Sequence, residues 1–236
     1  MWIVVGILQS NSLALSQIAL HIPGHANAES RVATIRRGLQ DRQVNGWAFY
    51  QPVLEHVLAS WRAVEATVIL DGVEVYGGRL QIFRLSLRHG CRAIPLVWTV
   101  FPGQGLAQVE KLEAMLRRAA KFLRPRVKQV RFLADCGFRD GDWAVLCLKS
   151  GWNYDIRVAD NTIVNLRGYP SCRIDEIGVR PGQRRYFQNV QLTRKAKLST
   201  NLAVTWTEGA PQHAPELLAV MSKSLTTRVC VNMAGA

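Results

Sequence analysis

Apolar and polar positions alternate with a helical rhythm from Met1 to about Val64. An apolar run to Leu8, a polar break at Ser10-Asn11-Ser12, a segment from Leu13 to Ile22 and a Pro23-Gly24 stop lead into two longer segments. Pro and Gly end helices because one lacks a donor and the other lacks steric restraint, so a small helical domain over residues 1–64 is predicted. Its third segment, Glu29 to Arg42, carries Arg31, Arg36, Arg37 and Arg42, with Val32, Ile35 and Leu39 at helical spacing on another face. Such a helix is either a solvated face of an ordinary bundle or a DNA-contacting element. Met1 to Leu8 reads like the middle of a buried helix, which would place the start of the chain inside a formerly longer protein.

The rhythm changes at Ala66, where Ala-Thr-Val-Ile-Leu runs uncharged into Asp71, as a buried central strand would. Leu80 to Leu87 alternates and Ala93 to Val100 is apolar and β-branched, with turns at Tyr76-Gly77-Gly78 and His89-Gly90. These make an antiparallel meander. A helix is predicted over Leu106 to Leu123, with Val109, Leu112, Met115, Leu116 and Ala119 on one buried face. Val127 to Ala134 is a strand ending at Asp135, followed by a turn, a helix around Asp142 to Lys149 and a fifth strand from Trp152 to Val158. From Asp160 to about Trp206, short β-like segments broken by Gly168, Pro170, Pro181 and Gly182 read as a β-rich insertion. No repeat of twenty to fifty residues recurs.

Composition narrows the class. Of 236 residues, 48% are hydrophobic and 20% charged, an ordinary globular balance that opposes long-range disorder. Lys and Arg number 30 against 17 acidic residues, a formal charge of +13 that favours a polyanionic partner, nucleic acid first and an acidic membrane surface second. The five cysteines contain no CxxC pair, so neither a zinc ribbon nor a disulfide framework is indicated, and a reducing cytoplasm fits. The N-terminal run is neither a signal peptide nor a membrane span.

Asp71 and Asp135 each follow an apolar strand. If those strands are neighbours, the carboxylates meet at one end of the sheet. Hard divalent cations prefer oxygen donors, and a pair of ions can activate a nucleophile and stabilise the leaving oxygen in phosphoryl transfer. The alternative role for a strand-terminal Asp is to cap the next turn.

Four stretches carry a resemblance: Val-Ile-Leu-Asp71-Gly72; His89-Gly90-Cys91-Arg92-Ala93-Ile94-Pro95-Leu96; Phe132-Leu133-Ala134-Asp135-Cys136-Gly137-Phe138; and Trp152-Asn153-Tyr154-Asp155-Ile156-Arg157. In this order they resemble the successive signatures of DDE transposases of bacterial insertion sequences, of the insertion-sequence-four-like group. Asn189 to Val204 resembles the run that closes the insertion of that family, so the similarity extends to about Trp206. It implies an α/β, ribonuclease-H-like mixed sheet with an N-terminal helical domain and a β-rich insertion. The implied division is 1–64 helical and a candidate DNA-binding domain, 65–159 catalytic core, 160–206 insertion and 207–236 a degenerate tail.

The implied activity is attack of water, then of a freed 3′-hydroxyl, on a DNA phosphodiester, with Mg²⁺ or Mn²⁺ held by Asp, Asp and Glu. Asp71 and Asp135 match the first two ligands. The expected partner is double-stranded DNA at transposon ends, with a homodimer as a candidate assembly on it and Arg36, Arg37, Arg157, Arg194 and Lys195 as the residues that touch it. A bacterial cytoplasm, on the nucleoid when DNA is bound, is the implied place. For Arg157 the charge is equally compatible with a surface salt bridge.

The sequence departs from the family in two places. Cys136 stands where the family has Arg, and a buried free thiol is a commoner role for such a Cys than nucleophilic catalysis. The late helix bearing Tyr, Arg, Glu and Lys is not found; the last tyrosine is Tyr186, and after Trp206 the acids are Glu208 and Glu216, the latter able to begin a helix through Ala219. The expectation is therefore a C-terminally truncated transposase that binds DNA and does not cut it alone. A DNA-binding remnant that interferes with an intact transposase, and an endonuclease of the same fold, are the competing functions.

Overall fold

The computed structural model describes residues 2–41, 43–103, 109–138, 141–192, 199–206 and 217–223. The chain divides into two compact units, Met1–Ser60 and Trp61–Ala236. Among the described residues no helix is long and apolar enough to cross a membrane.

The first unit holds α1 (Trp2–Ser10), α2 (Leu15–Leu20), α3 (Ala28–Gln40) and α4 (Gly46–Val57). Asn27 and Asn45 start α3 and α4 by accepting hydrogen bonds from the Ser30 amide and from the Trp47 and Ala48 amides, which satisfies donors that a helix start leaves open. The core joins Ile18, Ala19 and Ile35, with Ile3, Ile7, Leu15, Ile22 and Val32 packed around them. Three expectations are corrected here. The α1 segment is not a buried helix, since Trp2, Val4 and Leu8 are exposed and only Gly6 is buried. Leu39 does not share the buried face of Ile35 but is 61% exposed. Arg31 is not an outward basic residue; its guanidinium donates to the carbonyls of Ala19 and Gly24 and ties α3 to the end of α2.

The second unit is built on one ten-stranded sheet, mostly antiparallel. Its elements are β1 (Ala63–Val75), β2 (Leu80–His89), β3 (Arg92–Pro102), α5 (Val109–Leu123), β4 (Val127–Ala134), α6 (Gly141–Lys149), β5 (Asn153–Val158), β6 (Ile163–Asn165), β7 (Cys172–Arg173), β8 (Arg184–Leu192), β9 (Ser199–Trp206) and β10 (Leu217–Ser222). The order across the sheet is β3-β2-β1-β4-β5-β10-β9-β8-β6-β7. Among the described residues only the β1–β4 and β4–β5 pairs are parallel, and both are joined by crossovers that contain a helix.

One face of the central strands is dry. Ala66, Val68 and Leu70 on β1, Val130, Phe132 and Ala134 on β4, and Tyr154, Ile156 and Val158 on β5 are all buried on it. Phe132 stacks on Trp143 of α6, with ring centroids 6.0 Å apart, and Leu112, Met115, Leu116 and Ala119 bury the inner side of α5. The alternate positions form the other face and carry polar groups. There Glu65, Arg131 and Asp155 form a chain of ion pairs across β1, β4 and β5, and the Ser222 hydroxyl on β10 donates to Asp155.

The strands read as a β-rich insertion continue this same sheet, because β10 sits between β5 and β9 and pairs antiparallel with both. This corrects the reading in which Glu216 is able to begin a helix through Ala219. Leu217–Ser222 is a strand buried at nearly every position, and a short continuous apolar run has no periodicity with which to distinguish a buried strand from a buried helix. Glu208 and Glu216 lie outside the described residues.

Candidate functional site

Register brings Asp71 and Asp135 together. In the parallel β1–β4 ladder Leu70 is level with Ala134, so the next position on each chain is a carboxylate. Asp71 follows Leu70, which points into the dry face, so strand alternation sends it to the polar face, and Asp135, just past the end of β4, is met by Arg157 from the polar face of β5. β4 ends at Ala134 and turns into a short 3-10 segment, Cys136–Phe138. β1 does not end at Asp71 as expected. It continues to Val75 because its hairpin with β2 outlasts its ladder with β4, and Asp71 therefore marks the point where β1 loses one neighbour.

An arginine stands outside each carboxylate. Arg84 on β2 is directly opposite Asp71, with Nη2 3.3 Å from Oδ2. On the other side Ala134 is level with Ile156, so Arg157 follows at the height of Asp135, its Nη1 3.7 Å from Oδ1. The row across four neighbouring chain segments is thus Arg84, Asp71, Asp135, Arg157. Two like charges sit in the middle and a cation closes each end. The Asp71 and Asp135 side chains are 51% and 67% exposed. Ion pairs this open to water contribute only about 0–1 kcal/mol each, so a ligand can displace either arginine at small cost.

Asp135 Oδ1 also accepts a 2.7 Å hydrogen bond from the Cys136 amide, which fixes the carboxylate at the start of the turn. Turn capping and ligand binding are therefore compatible at this residue. Burial, reinforced by the neighbouring Asp135 charge, pushes the Cys136 thiol above its ordinary range despite the opposing effect of Arg157. It is protonated at neutral pH, which argues against a thiolate nucleophile.

Among the described residues Arg157 is the one expected DNA-binding residue that falls in this row. Arg36 and Arg37 are exposed on α3, in the other unit, and Arg37 donates to Thr34. Arg194 and Lys195 lie outside the described residues. Sequence reasoning missed Arg84, although the signal was present: a hairpin closed at Val75 and Leu80 necessarily sets Asp71 opposite Arg84. It also missed the Glu65, Arg131 and Asp155 chain, which joins side chains far apart in sequence.

Both carboxylates supply hard oxygen donors, and Mg²⁺ binds through one or two carboxylates while keeping several waters, so the pair fits one such ion. Among the described residues no group of three or more His, Cys, Asp or Glu side chains is placed to hold a metal.

No protein-family description matches the chain, and no curated protein does. Similar solved structures include the Argonaute of Marinitoga piezophila with a guide RNA and target DNA, at 10% identity and a TM-score of 0.33 over 72% of this chain and 25% of that one. A piggyBac transposase synaptic complex with hairpin DNA matches at 11% identity and a TM-score of 0.43, over 97% of this chain and 50% of that one. Endonuclease V of Ciona intestinalis, bound to an inosine-containing DNA, matches at 10% identity and a TM-score of 0.38, over 82% of this chain and 88% of that one. The chain thus spans a quarter and a half of the first two proteins it matches. These similarities are to proteins captured on nucleic acid, and at such identities and scores they assign neither a family nor an activity.

Proposed function

We propose that this chain is a nucleic-acid-binding protein of the DDE transposase kind, with a ribonuclease-H-like core whose Asp71 and Asp135 hold a divalent metal ion beside a DNA phosphodiester. The observation that carries this reading is the β1–β4 register, which sets the two carboxylates side by side on the polar face at the end of that parallel ladder. The strand order β3-β2-β1-β4-β5, with an antiparallel meander followed by two helical crossovers, supports the ribonuclease-H-like assignment. The charge of +13 supports the polyanionic partner.

In this reading Asp71 and Asp135 hold Mg²⁺ or Mn²⁺, which when bound lowers the cost of generating a nucleophile and of releasing the leaving oxygen. The row of charges then changes partners. Relieved of the carboxylates, Arg84 and Arg157 turn their N–H groups to phosphate oxygens, a match that a planar guanidinium makes with two parallel hydrogen bonds. With only two such carboxylates among the described residues, a second ion lacks its ligands, and strand cleavage and transfer are impaired.

A second reading, DNA binding without chemistry, is favoured by the two ion pairs. Arg84 and Arg157 neutralise the carboxylates in the absence of metal, and the row then serves as a nearly neutral strip on a basic surface. One experiment separates the two. Purified chain is incubated with labelled duplex DNA, with and without Mg²⁺ or Mn²⁺, and binding and nicking are measured together. Binding that weakens steeply between about 50 and 200 mM salt is expected. Undetectable binding at low salt refutes both readings. Slow, metal-dependent nicking abolished in both Asp71→Ala and Asp135→Ala supports the first reading, and metal-independent binding with no nicking leaves the second.

A further inference from the structure

A second basic site lies at the other end of the same two strands. Where α5 turns into β4, beside the start of β1, the structure has an open cleft of about 510 Å³. Arg62, Ala63, Val64, Arg124, Pro125, Arg126, Val127 and Lys128 line it, and none of these is acidic. Four of the eight are cationic. Such a concentration of like charge is unfavourable in isolation and is relieved by an anion.

The cleft follows from the ladder. Ala63 is level with Val127, so Arg62 and Arg126 are brought side by side just before the two parallel strands begin, with Arg124 and Lys128 on either side of Arg126 in the chain. Arg126 is held in place: its guanidinium lies 4.0 Å from the centroid of the Phe122 ring, and one N–H donates to the Phe122 carbonyl at 2.7 Å. That bond closes the end of α5 and uses one of five guanidinium donors, leaving donors for a further acceptor. Arg62 is exposed and donates to the carbonyl of its chain neighbour Trp61 at 2.7 Å. One anchored guanidinium, that of Arg126, is thus gathered with the exposed Arg62, Arg124 and Lys128 around a single cleft, and the fixed member limits the entropy lost on binding an anion.

We propose that this cleft binds backbone phosphates of a nucleic acid, at a place separate from the Asp71 and Asp135 row. The proposal rests on the nucleic-acid part of the function proposed above and not on the carboxylate chemistry. Eight residues of β1 separate Ala63 from Asp71, about 26 Å at strand rise. At 3.4 Å per base pair, a duplex reaching from one site to the other spans about eight base pairs. Because the cleft presents charge and no base-reading pocket, it positions the duplex without selecting sequence.

The test uses the full chain and a fluorescein-labelled duplex of about 30 base pairs, with affinity measured by anisotropy across a salt series. Arg124→Ala with Lys128→Ala removes two exposed charges and leaves Arg126 and Arg62 in place. Arg167→Ala with Arg180→Ala, both exposed and outside the strands in the chain between β6 and β8, is the charge-matched control. The cleft variant is expected to bind about tenfold more weakly or worse, with the salt slope reduced by about 1.8, or 0.9 for each phosphate that is no longer neutralised. The control is expected to weaken clearly less. Arg124→Gln with Lys128→Gln, which keeps a polar side chain without the charge, should reproduce the weakening, and unchanged melting temperatures verify folding.

Equal weakening in the cleft variant and the control, or an unchanged slope, overturns the cleft while leaving DNA binding intact. Failure of the unaltered chain to bind DNA overturns both. Free phosphate is distinguished by competition with inorganic pyrophosphate at constant ionic strength: cleft-dependent pyrophosphate binding without any cleft-dependent DNA binding also overturns the proposal.

Discussion

Removing the Asp155 carboxylate should destabilise the second unit, and the pH dependence of the effect reveals its cause. Asp155 on β5 is 4% exposed and accepts a 2.5 Å hydrogen bond from Ser222 on β10 and an ion pair from Arg131 on β4 at 3.4 Å. Arg131 is itself 18% exposed and shares its guanidinium with Glu65 at 3.2 Å. Asp155→Ala leaves a nearly buried guanidinium that has lost one of its carboxylates and takes the Asp155 acceptor from the buried Ser222 hydroxyl. Breaking a buried pair by removing one member costs about 3 kcal/mol, and in a unit of this size each kcal/mol lowers the melting temperature by about 2–4 °C, hence a fall of about 6–12 °C. Asp155→Asn keeps an acceptor for Ser222 and loses only the charge, so it should fall by less.

The sign with pH follows from burial, which raises the pKa of Asp155 above its ordinary value against the opposing pull of Ser222 and Arg131. A carboxyl whose folded pKa is raised binds its proton more tightly when folded. Its contribution therefore weakens as pH rises from the ordinary carboxylate range through the raised folded value, and is constant above it. Thermal melts of the original chain and of Asp155→Asn from mildly acidic to neutral pH give a difference curve in which other carboxylates cancel. The stability of the original relative to Asn should decline as pH rises. A difference that grows with pH, or an Asp155→Ala variant that melts like the original, refutes the network as described.

Two further outcomes follow from the geometry. A Cβ added at Gly6 would lie 2.7 Å from Ile18 Cγ2 and 2.9 Å from the Ile18 carbonyl oxygen, so Gly6→Ala should push α1 from α2 and cost the helical unit about 1–3 kcal/mol in chemical denaturation; an unchanged midpoint contradicts that packing. The raised thiol pKa of Cys136 predicts slow alkylation at neutral pH that accelerates as pH rises, measured against exposed Cys91 by mass spectrometry; alkylation of Cys136 faster than Cys91 at neutral pH contradicts it.

Much of the second unit was legible in local pattern. The meander, α5, β4, α6 and β5 each announce themselves by periodicity and by Gly-containing turns, and Asp71 and Asp135 stand out because a charge ends an apolar run. Hydrophobic periodicity records burial of one face by short-range packing, so it locates elements and says which side of each is dry. It does not record which strands are neighbours. Leu217–Ser222 illustrates the limit: an apolar run with no period became the strand that joins β5 to β9, a place decided by pairing with chain far from it in sequence.

What the sequence by itself determined was the identity of the charged groups, the excess of cations and the residue at which each strand meets a carboxylate. Only the tertiary structure decided that Asp71 and Asp135 come together, that Arg157 closes the row beside Asp135, and that Arg62 meets Arg126 at the far end of the same ladder. The physical reason is that register is a property of two segments at once. Backbone hydrogen bonds form between any two strands of suitable length, and the choice among partners and offsets is made by burying every apolar face together, which no single segment encodes.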